Sequence, residues 1–337
     1  MNFTEDLQAW YSSGHRDLPW RATTDPYRIW VSEIMLQQTR AQAVIPYFEK
    51  FLRRFPSIEA LAEAPEADVL ACWSGLGYYS RARNLRKAAI EILQLGKFPH
   101  DFDAIRALPG VGAYTAAAVA SIAFGLPRAV VDGNVLRVIS RIENDAGDIG
   151  ATSTRHRFQE IAGKLLDQSD PGRFNQAMME LGATVCLPRA PRCLLCPVRR
   201  HCHANSEGAQ DTLPVKSRPA AIEKVEAGLA VLERGGCVLL KQRGADARRM
   251  AGFWELPALE DVPELSGRIL VGAVRHTIVR QQFTYNVYSG ELRWKPSTFE
   301  WMERNRLDAI PVTTVTRKAL ALVSDSESSF KVSGSSI

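Results

Sequence analysis

The chain has 337 residues, 46% hydrophobic and 23% charged. That length exceeds one ordinary core and predicts two domains, and no apolar run is long enough to span a bilayer. Net charge is +5, but residues 1–215 carry 24 Lys and Arg against 23 Asp and Glu, so any pull on phosphate must be local.

Arg outnumbers Lys 32 to 10. That bias suits bidentate phosphate contacts and equally suits a particular genomic base composition. The opening Met1–Asp6 is polar and acidic, unlike a secretory signal. Six cysteines, four of them between 186 and 202, fit a reducing cytoplasm with a metal-type site better than a disulfide framework. Cys72 and Cys237 stand apart and read as small buried apolar residues.

Residues 1–200 read as helical, with apolar spacing broken by short Gly, Pro and Asp turns. One helix begins at Asp25-Pro26, a cap followed by Pro in the first turn, and carries Ile29, Trp30, Glu33, Ile34 and Met35. Glu33 sits beside that apolar stripe. A carboxyl buried there would have a raised pKa and could donate a proton near neutrality. Taken alone, it reads equally as a solvated Glu at the stripe's edge.

Further along, Leu108-Pro109-Gly110-Val111-Gly112 is a glycine turn that opens a helix. Gly110 and Gly112 would let backbone N–H groups approach a DNA phosphate, aided by the helix N-terminus. A plain helix connector would look the same. Asp132 stands directly before another helix, where backbone donors would hold it ionised, whether or not it does more than cap. One carboxyl pushed toward neutrality and another held charged is the division of labour for acid-catalysed cleavage of a glycosidic bond.

Cys186, Cys193, Cys196 and Cys202 follow with the spacing C-x6-C-x2-C-x5-C. Four thiolates this close need a cation or cluster to neutralise them. Zinc sites usually show two CxxC pairs, whereas this loop has one pair and two single cysteines, which suits an iron–sulfur cubane; spacing alone leaves zinc open. Arg189, Arg192, Arg199, Arg200, His201 and His203 surround the cysteines and either offset the thiolates or grip phosphates.

Past the loop, 205–223 is polar, carries Gly208, Pro214 and Pro219, and reads as a linker. Beyond it, 228–233, 237–242, 269–274 and 283–292 read as strands, and 315–323 as a closing helix. The expected domains are 1–204, helical and including the cysteine loop, and 224–325, of α+β type, with a disordered Ser-rich tail at 326–337.

Together these residues resemble a known family. The hairpin, then Val131-Asp132-Gly133-Asn134-Val135, then the cysteine loop, is similar to the endonuclease III superfamily of helix–hairpin–helix glycosylases. Within it the chain resembles MutY-type adenine DNA glycosylases through Leu18-Pro19-Trp20-Arg21, Ser32–Thr39, Gly75–Arg81 and Phe174-Asn175-Gln176-Ala177. The resemblance covers nearly all of residues 1–220. It implies a mainly α, helix–hairpin–helix fold with a 4Fe–4S cluster on the four cysteines. It also implies a reaction, removal of adenine opposite 8-oxoguanine or guanine in duplex DNA, by a monomeric, cytoplasmic bacterial enzyme that meets no membrane and works at the nucleoid.

By the same resemblance Glu33 is the general acid, Asp132 faces the sugar, and Asn134 and Tyr114 support the carboxylates. Trp20, Arg21, Leu36 and Gln176 form the adenine pocket, while Gln38 and Tyr78 enter the duplex beside the opposite base, with Thr39 also meeting DNA. Lyases of the superfamily carry a Lys where this chain has Tyr114, which implies a monofunctional glycosylase. A pyrimidine-directed lyase and a non-catalytic DNA-binding redox module are the competing readings; Tyr114 counts against the first and the intact carboxyl pair against the second.

The C-terminal region resembles a Nudix-like domain at Ala227–Gly244 and Met250–Pro257, without the Glu-rich metal box, which implies recognition rather than hydrolysis. Family members often carry Phe-Ser-His near a His-Thr pair. Here His276-Thr277 is followed by Ile278-Val279-Arg280, and Val279 has no side-chain hydrogen bond to offer an oxidised guanine.

Overall fold

The computed structural model describes residues 2–217, 222–244, 246–247, 250–278, 281–293 and 297–332. The chain forms two compact units, Met1–Glu63 with Asn84–Arg218, and Ala64–Arg83 with Pro219–Ile337. Residues 64–83, which the sequence groups with the first domain, therefore belong with the C-terminal residues.

In the first unit, Asp25 caps the helix Pro26–Leu36 by accepting from the Tyr27 N–H at 2.9 Å. The helix Ala113–Phe124 lies at the centre, with Ala116, Ala117, Ala118, Val119 and Ala120 buried. Helices Pro26–Leu36, Phe102–Ala107 and Pro171–Thr184 pack around it. Its small side chains let their backbones come close. At Gly172 a Cβ would stand 2.8 Å from the Ser121 carbonyl oxygen and 2.9 Å from the Ile122 Cα.

The helix Gly133–Ile142 builds a second apolar cluster, its Val138 and Ile139 packing with Leu7, Phe158, Phe174 and Leu181. Cys186 and Cys196 rest against the same cluster, so the cysteine loop is seated on the core. The stretch 205–217 is fixed rather than free. Leu213 is buried, its carbonyl accepts from Arg141 Nε at 3.1 Å, and the Ile149 N–H donates to the Val215 carbonyl at 3.0 Å. A polar composition hid this apolar anchor.

The second unit is α+β. Strands Glu223–Val231 and Gln281–Glu291 pair in parallel, and Ser266–Ile278 pairs antiparallel on the other side of Gln281–Glu291 with two register shifts. In a second sheet, Cys237–Gln242 pairs antiparallel with Glu233–Arg234, Trp254–Glu255 and Phe299–Glu303. Gly235 (φ 57°) and Gly236 (φ 76°) supply the two positive φ values that a tight hairpin needs.

Two strands start before the predicted ones, at 223–227 and 281–282, because ladder bonds recruit ends rich in Glu, Lys and Gln, which composition does not mark as strand. Trp254–Glu255 and Phe299–Glu303 were not expected. They are short and take their conformation from Cys237–Gln242. The helix Thr314–Val332 places Ala319, Leu320 and Val323 against Val231, Val274 and Val287. It continues beyond the predicted end at 323, since extending a packed helix is easier than nucleating one.

Of the tail 326–337 expected to be disordered, 326–332 continue the helix Thr314–Val332 instead, and 333–337 lie outside the described residues, as do Val279 and Arg280. His276 and Thr277 lie in the strand Ser266–Ile278. Among the described residues no helix is long and apolar enough to cross a membrane.

The packing at Gly172 yields a test. An added methyl there meets backbone, which cannot step aside as a rotamer does. Gly172→Ala should therefore cost about 1–3 kcal/mol, despite alanine's better helix propensity, read as a lower denaturant midpoint at unchanged slope.

Candidate active site

The central helices of the first unit enclose a cavity of about 640 Å³. Glu33, Leu36, Gln38 and Thr39 enter its wall from the end of Pro26–Leu36 and the turn after it, and Trp20 and Arg21 from the short helix Pro19–Arg21. Tyr114, Asp132, Asn134 and Gln176 complete the wall from three further segments. Ten residues expected from sequence to act in catalysis or substrate contact thus share one pocket.

Glu33 is buried, at 4% exposure. Burial pushes its carboxyl up to about 7; the Tyr114 hydroxyl and Arg21 pull it down, and Asp132 pushes it further up. Tyr114 Oη donates to Glu33 Oε2 at 2.8 Å and approaches Met179 Sδ at 3.4 Å. The tyrosine hydroxyl is thereby committed to the carboxyl.

Asp132 is the N-cap of Gly133–Ile142. Its Oδ1 accepts from the Val135 N–H at 2.7 Å and its Oδ2 from Asn134 Nδ2 at 3.0 Å. From its capping position alone, these donors are expected to hold the carboxylate ionised. The structure corrects that balance: burial pushes Asp132 above its ordinary value, and the Val135 and Asn134 donors pull it back. A cap on a pocket wall is drier than a cap on a surface. The two carboxyls still differ in support, since Glu33 has one hydroxyl and the Arg21 charge, and Asp132 has backbone amides of Val135 and Asn134, the Asn134 side chain and the Arg137 charge.

Asn134 is held in turn. Its Oδ1 accepts from Arg137 Nη2 at 2.9 Å, the same Nη2 donates to the Gly182 carbonyl at 2.8 Å, and Arg137 Nε donates to the Cys186 carbonyl at 2.8 Å. A buried arginine thus ties the support of Asp132 to the first residue of the cysteine loop. Asn175 performs a similar service upstream. It accepts from the Val130 N–H at 3.0 Å and donates to Ser121 Oγ at 2.9 Å and the Arg128 carbonyl at 2.8 Å, fixing the strand of chain that leads into Asp132.

Glu180 was missed in the sequence. It is 1% exposed and receives Arg16 Nη2 and Arg21 Nη2, each at 2.7 Å. Burial pushes its carboxyl up, but the bonds from Arg16 and Arg21 bring it down to about 2. The pair holds Arg21 at the pocket wall. A signal was available: Glu180 interrupts the buried face of Pro171–Thr184 between Met178 and Leu181, as Glu33 interrupts its own.

Gly110, at φ 76°, leaves 2.6 Å between a hypothetical Cβ and Asn84 Cβ, so the hairpin needs glycine there. Gly112 is the N-cap of Ala113–Phe124 and is exposed. Gln38 and Tyr78 are both exposed, and both are among the few described non-glycine residues with positive φ, at 58° and 48°. Such conformations persist only where surroundings enforce them and gather at functional sites. Tyr78 lies in the second unit.

All four loop cysteines line one small cavity together with Arg141, Asn205 and Gln210. Burial pushes the Cys196 thiol up to about 12, and the neighbouring thiolates add to it. A strongly cationic occupant is needed to ionise Cys196. Arg141, 2% exposed, donates from Nη1 to Cys186 Sγ at 3.2 Å, while its buried Nη2 and the buried Gln210 Oε1 have no hydrogen-bond partner among the described residues. Among the described residues no three His, Cys, Asp or Glu side chains are gathered closely enough for a single metal ion. On the same loop Arg200 and His201 bind Asp6 of the helix Phe3–Ser13, at 2.6 Å and 2.8 Å, so part of its basic surface is used internally.

The raised Glu33 pKa makes a stability prediction with a definite sign. Unfolded, the carboxyl ionises near 4.5; folded, near 7. The folded state is therefore penalised progressively as pH rises between these values, with no penalty below and the full penalty above. Glu33→Gln should stabilise the protein by about 3 kcal/mol at pH 8 and by little at pH 4.5, measured by denaturant unfolding. Equal effects at both pH values would contradict the buried neutral carboxyl.

Comparison with known proteins agrees with this geometry. Residues 31–164 match the family of HhH-GPD superfamily base excision DNA repair proteins. The chain is 33% identical to the adenine DNA glycosylase of Mus musculus over 96% of this chain and 78% of that one, and 32% identical to that of Homo sapiens over 94% and 73%. A solved structure of a thermostable thymine-DNA glycosylase is 31% identical, with a TM-score of 0.54 over 61% of this chain and 95% of its own. The two long, near-complete alignments and the matched repair family settle the affiliation: the chain belongs to the adenine DNA glycosylase family of helix–hairpin–helix base excision repair proteins.

Proposed function

We propose that this DNA glycosylase removes adenine paired with 8-oxoguanine, or with guanine, from duplex DNA by acid-catalysed hydrolysis of the N-glycosyl bond, acting as a cytoplasmic monomer. One observation carries the reading. Glu33, with its pKa near 7, shares a single pocket with Asp132 and accepts a hydrogen bond from Tyr114; by the family resemblance, a lyase would carry an amine in place of Tyr114.

The target base has to leave the stack to reach that pocket. Trp20, buried against the edge of Phe48, offers an apolar wall, and Leu36 and Gln176 offer further contacts. Glu33 is protonated in half the molecules near pH 7 and gives its proton to a ring nitrogen of adenine. The electrons of the breaking C1′–N bond then pass into a ring that leaves neutral. Tyr114 accompanies the carboxylate that remains, its O–H bond favouring the charged form.

Positive charge develops on the sugar as the bond breaks. Asp132, ionised for this step and braced by Val135 and Asn134, opposes that charge. Water then adds at C1′ and gives up a proton, which restores the Glu33 carboxyl and completes the hydrolysis. The hairpin at Gly110 and Gly112 would hold a phosphate through backbone N–H groups, and Gln38 and Thr39, on the pocket rim, would meet the strand.

The fit of the donors supports a 4Fe–4S cluster on Cys186, Cys193, Cys196 and Cys202: four thiols on one cavity wall, and two buried polar atoms beside them lacking partners. When bound, the cluster supplies positive charge to ionise the thiols and a rigid seat for the loop. Arg141 would hold the Cys186 thiolate, and Arg137 would carry the loop's position to Asn134. The C-terminal unit, read as Nudix-like, would examine the base opposite the adenine.

Single-turnover assays on duplexes with A opposite 8-oxoguanine, A opposite G, and thymine glycol test the assignment. Adenine release from the first two is expected, with strand nicking only after alkali. The rate should fall as pH rises through about 7, where Glu33 loses its proton, and Glu33→Gln should lose about 10²–10⁴-fold. Thymine glycol release with spontaneous nicking would favour the pyrimidine lyase instead.

A further inference from the structure

Tyr78 is displayed by an unusually closed piece of backbone. It lies in the turn between helices Glu66–Trp73 and Ser80–Leu95, and the residue is 52% exposed. The Leu76 carbonyl accepts from Arg81 Nη2 at 3.1 Å. The Gly77 carbonyl accepts from the same nitrogen at 3.1 Å and from Trp73 Nε1 at 3.1 Å. The Tyr78 carbonyl accepts from the Arg81 N–H at 2.9 Å and the Tyr79 carbonyl from the Arg83 N–H at 3.1 Å. Every carbonyl from 76 to 79 is therefore engaged within the turn. The Arg81 guanidinium also lies over both the Trp73 and Tyr78 rings, at 5.4 Å and 5.6 Å.

This turn is fastened to the C-terminal residues of its own unit at three points. Tyr79, 4% exposed, meets Phe253, 0% exposed, with ring centroids 4.2 Å apart. Arg317 Nε donates to Ser74 Oγ at 3.1 Å while its other nitrogens hold Asp308 Oδ1 and the Leu307 carbonyl, each at 2.8 Å. Arg83 donates to the Ala251 carbonyl. Phe253 is itself set by a tight turn, in which its N–H donates to the Met250 carbonyl at 3.1 Å and its carbonyl accepts from the Arg243 N–H at 2.8 Å. Tyr78 and Tyr79 are adjacent, one ring outward and one inward. A shift at Phe253 reaches the exposed ring through a single peptide.

We propose that Phe253 and Arg317 are positioning residues through which the C-terminal unit sets the entry of Tyr78 into the duplex, so that discrimination of the opposite base is exerted partly through this wedge. The proposal rests on the reading above, in which the C-terminal unit examines that base and Tyr78 enters beside it. It differs in assigning the wedge to the recognising unit rather than to the helices that hold the catalytic carboxyls.

The test is a double-mutant cycle on the full-length, cluster-loaded protein. Adenine release in single turnover is compared for A opposite 8-oxoguanine and A opposite G in wild type, Phe253→Leu, Tyr78→Ala and the pair. Phe253→Leu should lower the ratio of the two rates by about tenfold, and should leave the ratio unchanged once Tyr78 is alanine. Arg317→Ala, at a partly exposed site, should behave alike if Phe253→Leu folds poorly. Ratios that multiply in the double variant would overturn the proposal. Hydrogen exchange gives a reading independent of activity: the amides of Arg81 and Arg83 should exchange faster in both variants, and unchanged protection would overturn the clasp. Were wild type to release no adenine, the functional reading would fall, and exchange alone would still decide whether the clasp exists.

Discussion

A carboxyl group kept dry enough to hold its proton near neutral pH is the constraint on which the site depends. Glu33 has its pKa near 7 because the pocket wall removes water from it and offers one compensating hydroxyl. Much of the helical unit can be read as what this requires. The pocket must be closed by apolar side chains, yet open enough to admit a base. The helices carrying Glu33, Tyr114 and Asp132 must stay fixed against one another to within hydrogen-bond tolerance. And the destabilisation of a buried acid, about 3 kcal/mol above neutrality, must be offset by packing elsewhere.

The remaining charges are arranged so as not to spoil that environment. Arg21 could neutralise Glu33 if left to itself, and it does lower the pKa. Glu180 draws its guanidinium into an ion pair at 2.7 Å, sharing it with Arg16. Asp132 would be repelled by an ionised Glu33, and it is braced by Val135 and Asn134, with Arg137 holding Asn134 in turn. Acid, anion and cation therefore stand close together with separate partners. This lets two carboxyls in one pocket take different roles.

Most of the catalytic pocket was legible in the sequence because its residues sit in short, dense motifs. Local chemistry marks Glu33 beside an apolar stripe and Asp132 directly before a helix, whereas Trp20, Arg21, Leu36, Gln38, Thr39, Tyr114 and Asn134 were legible only because their motifs resemble those of a known family. What was illegible is what depends on long-range partners. Glu180 and Arg137 look like ordinary helix charges until the fold buries them. The upward push on Asp132 could not be read from its capping position, since desolvation is set by residues distant in the chain. Leu213 anchors a segment whose composition is that of a linker. The grouping of residues 64–83 with the C-terminal unit is likewise a matter of three-dimensional contact, since Phe253 and Arg317 lie far from Tyr79 and Ser74 in sequence.

The alanine and glycine surfaces between the central helices have a consequence for variation. Where backbones touch through hydrogens, as at Gly172 against Ser121 and Gly182 against Asn134, almost any replacement is larger, and the intruding atom displaces a helix rather than a side chain. Because these helices also carry the pocket residues, inactivating changes need not touch the flipped base at all. The target for loss of repair is wider than the catalytic pocket, and it extends along a seam of small residues whose only contribution is to take up no room.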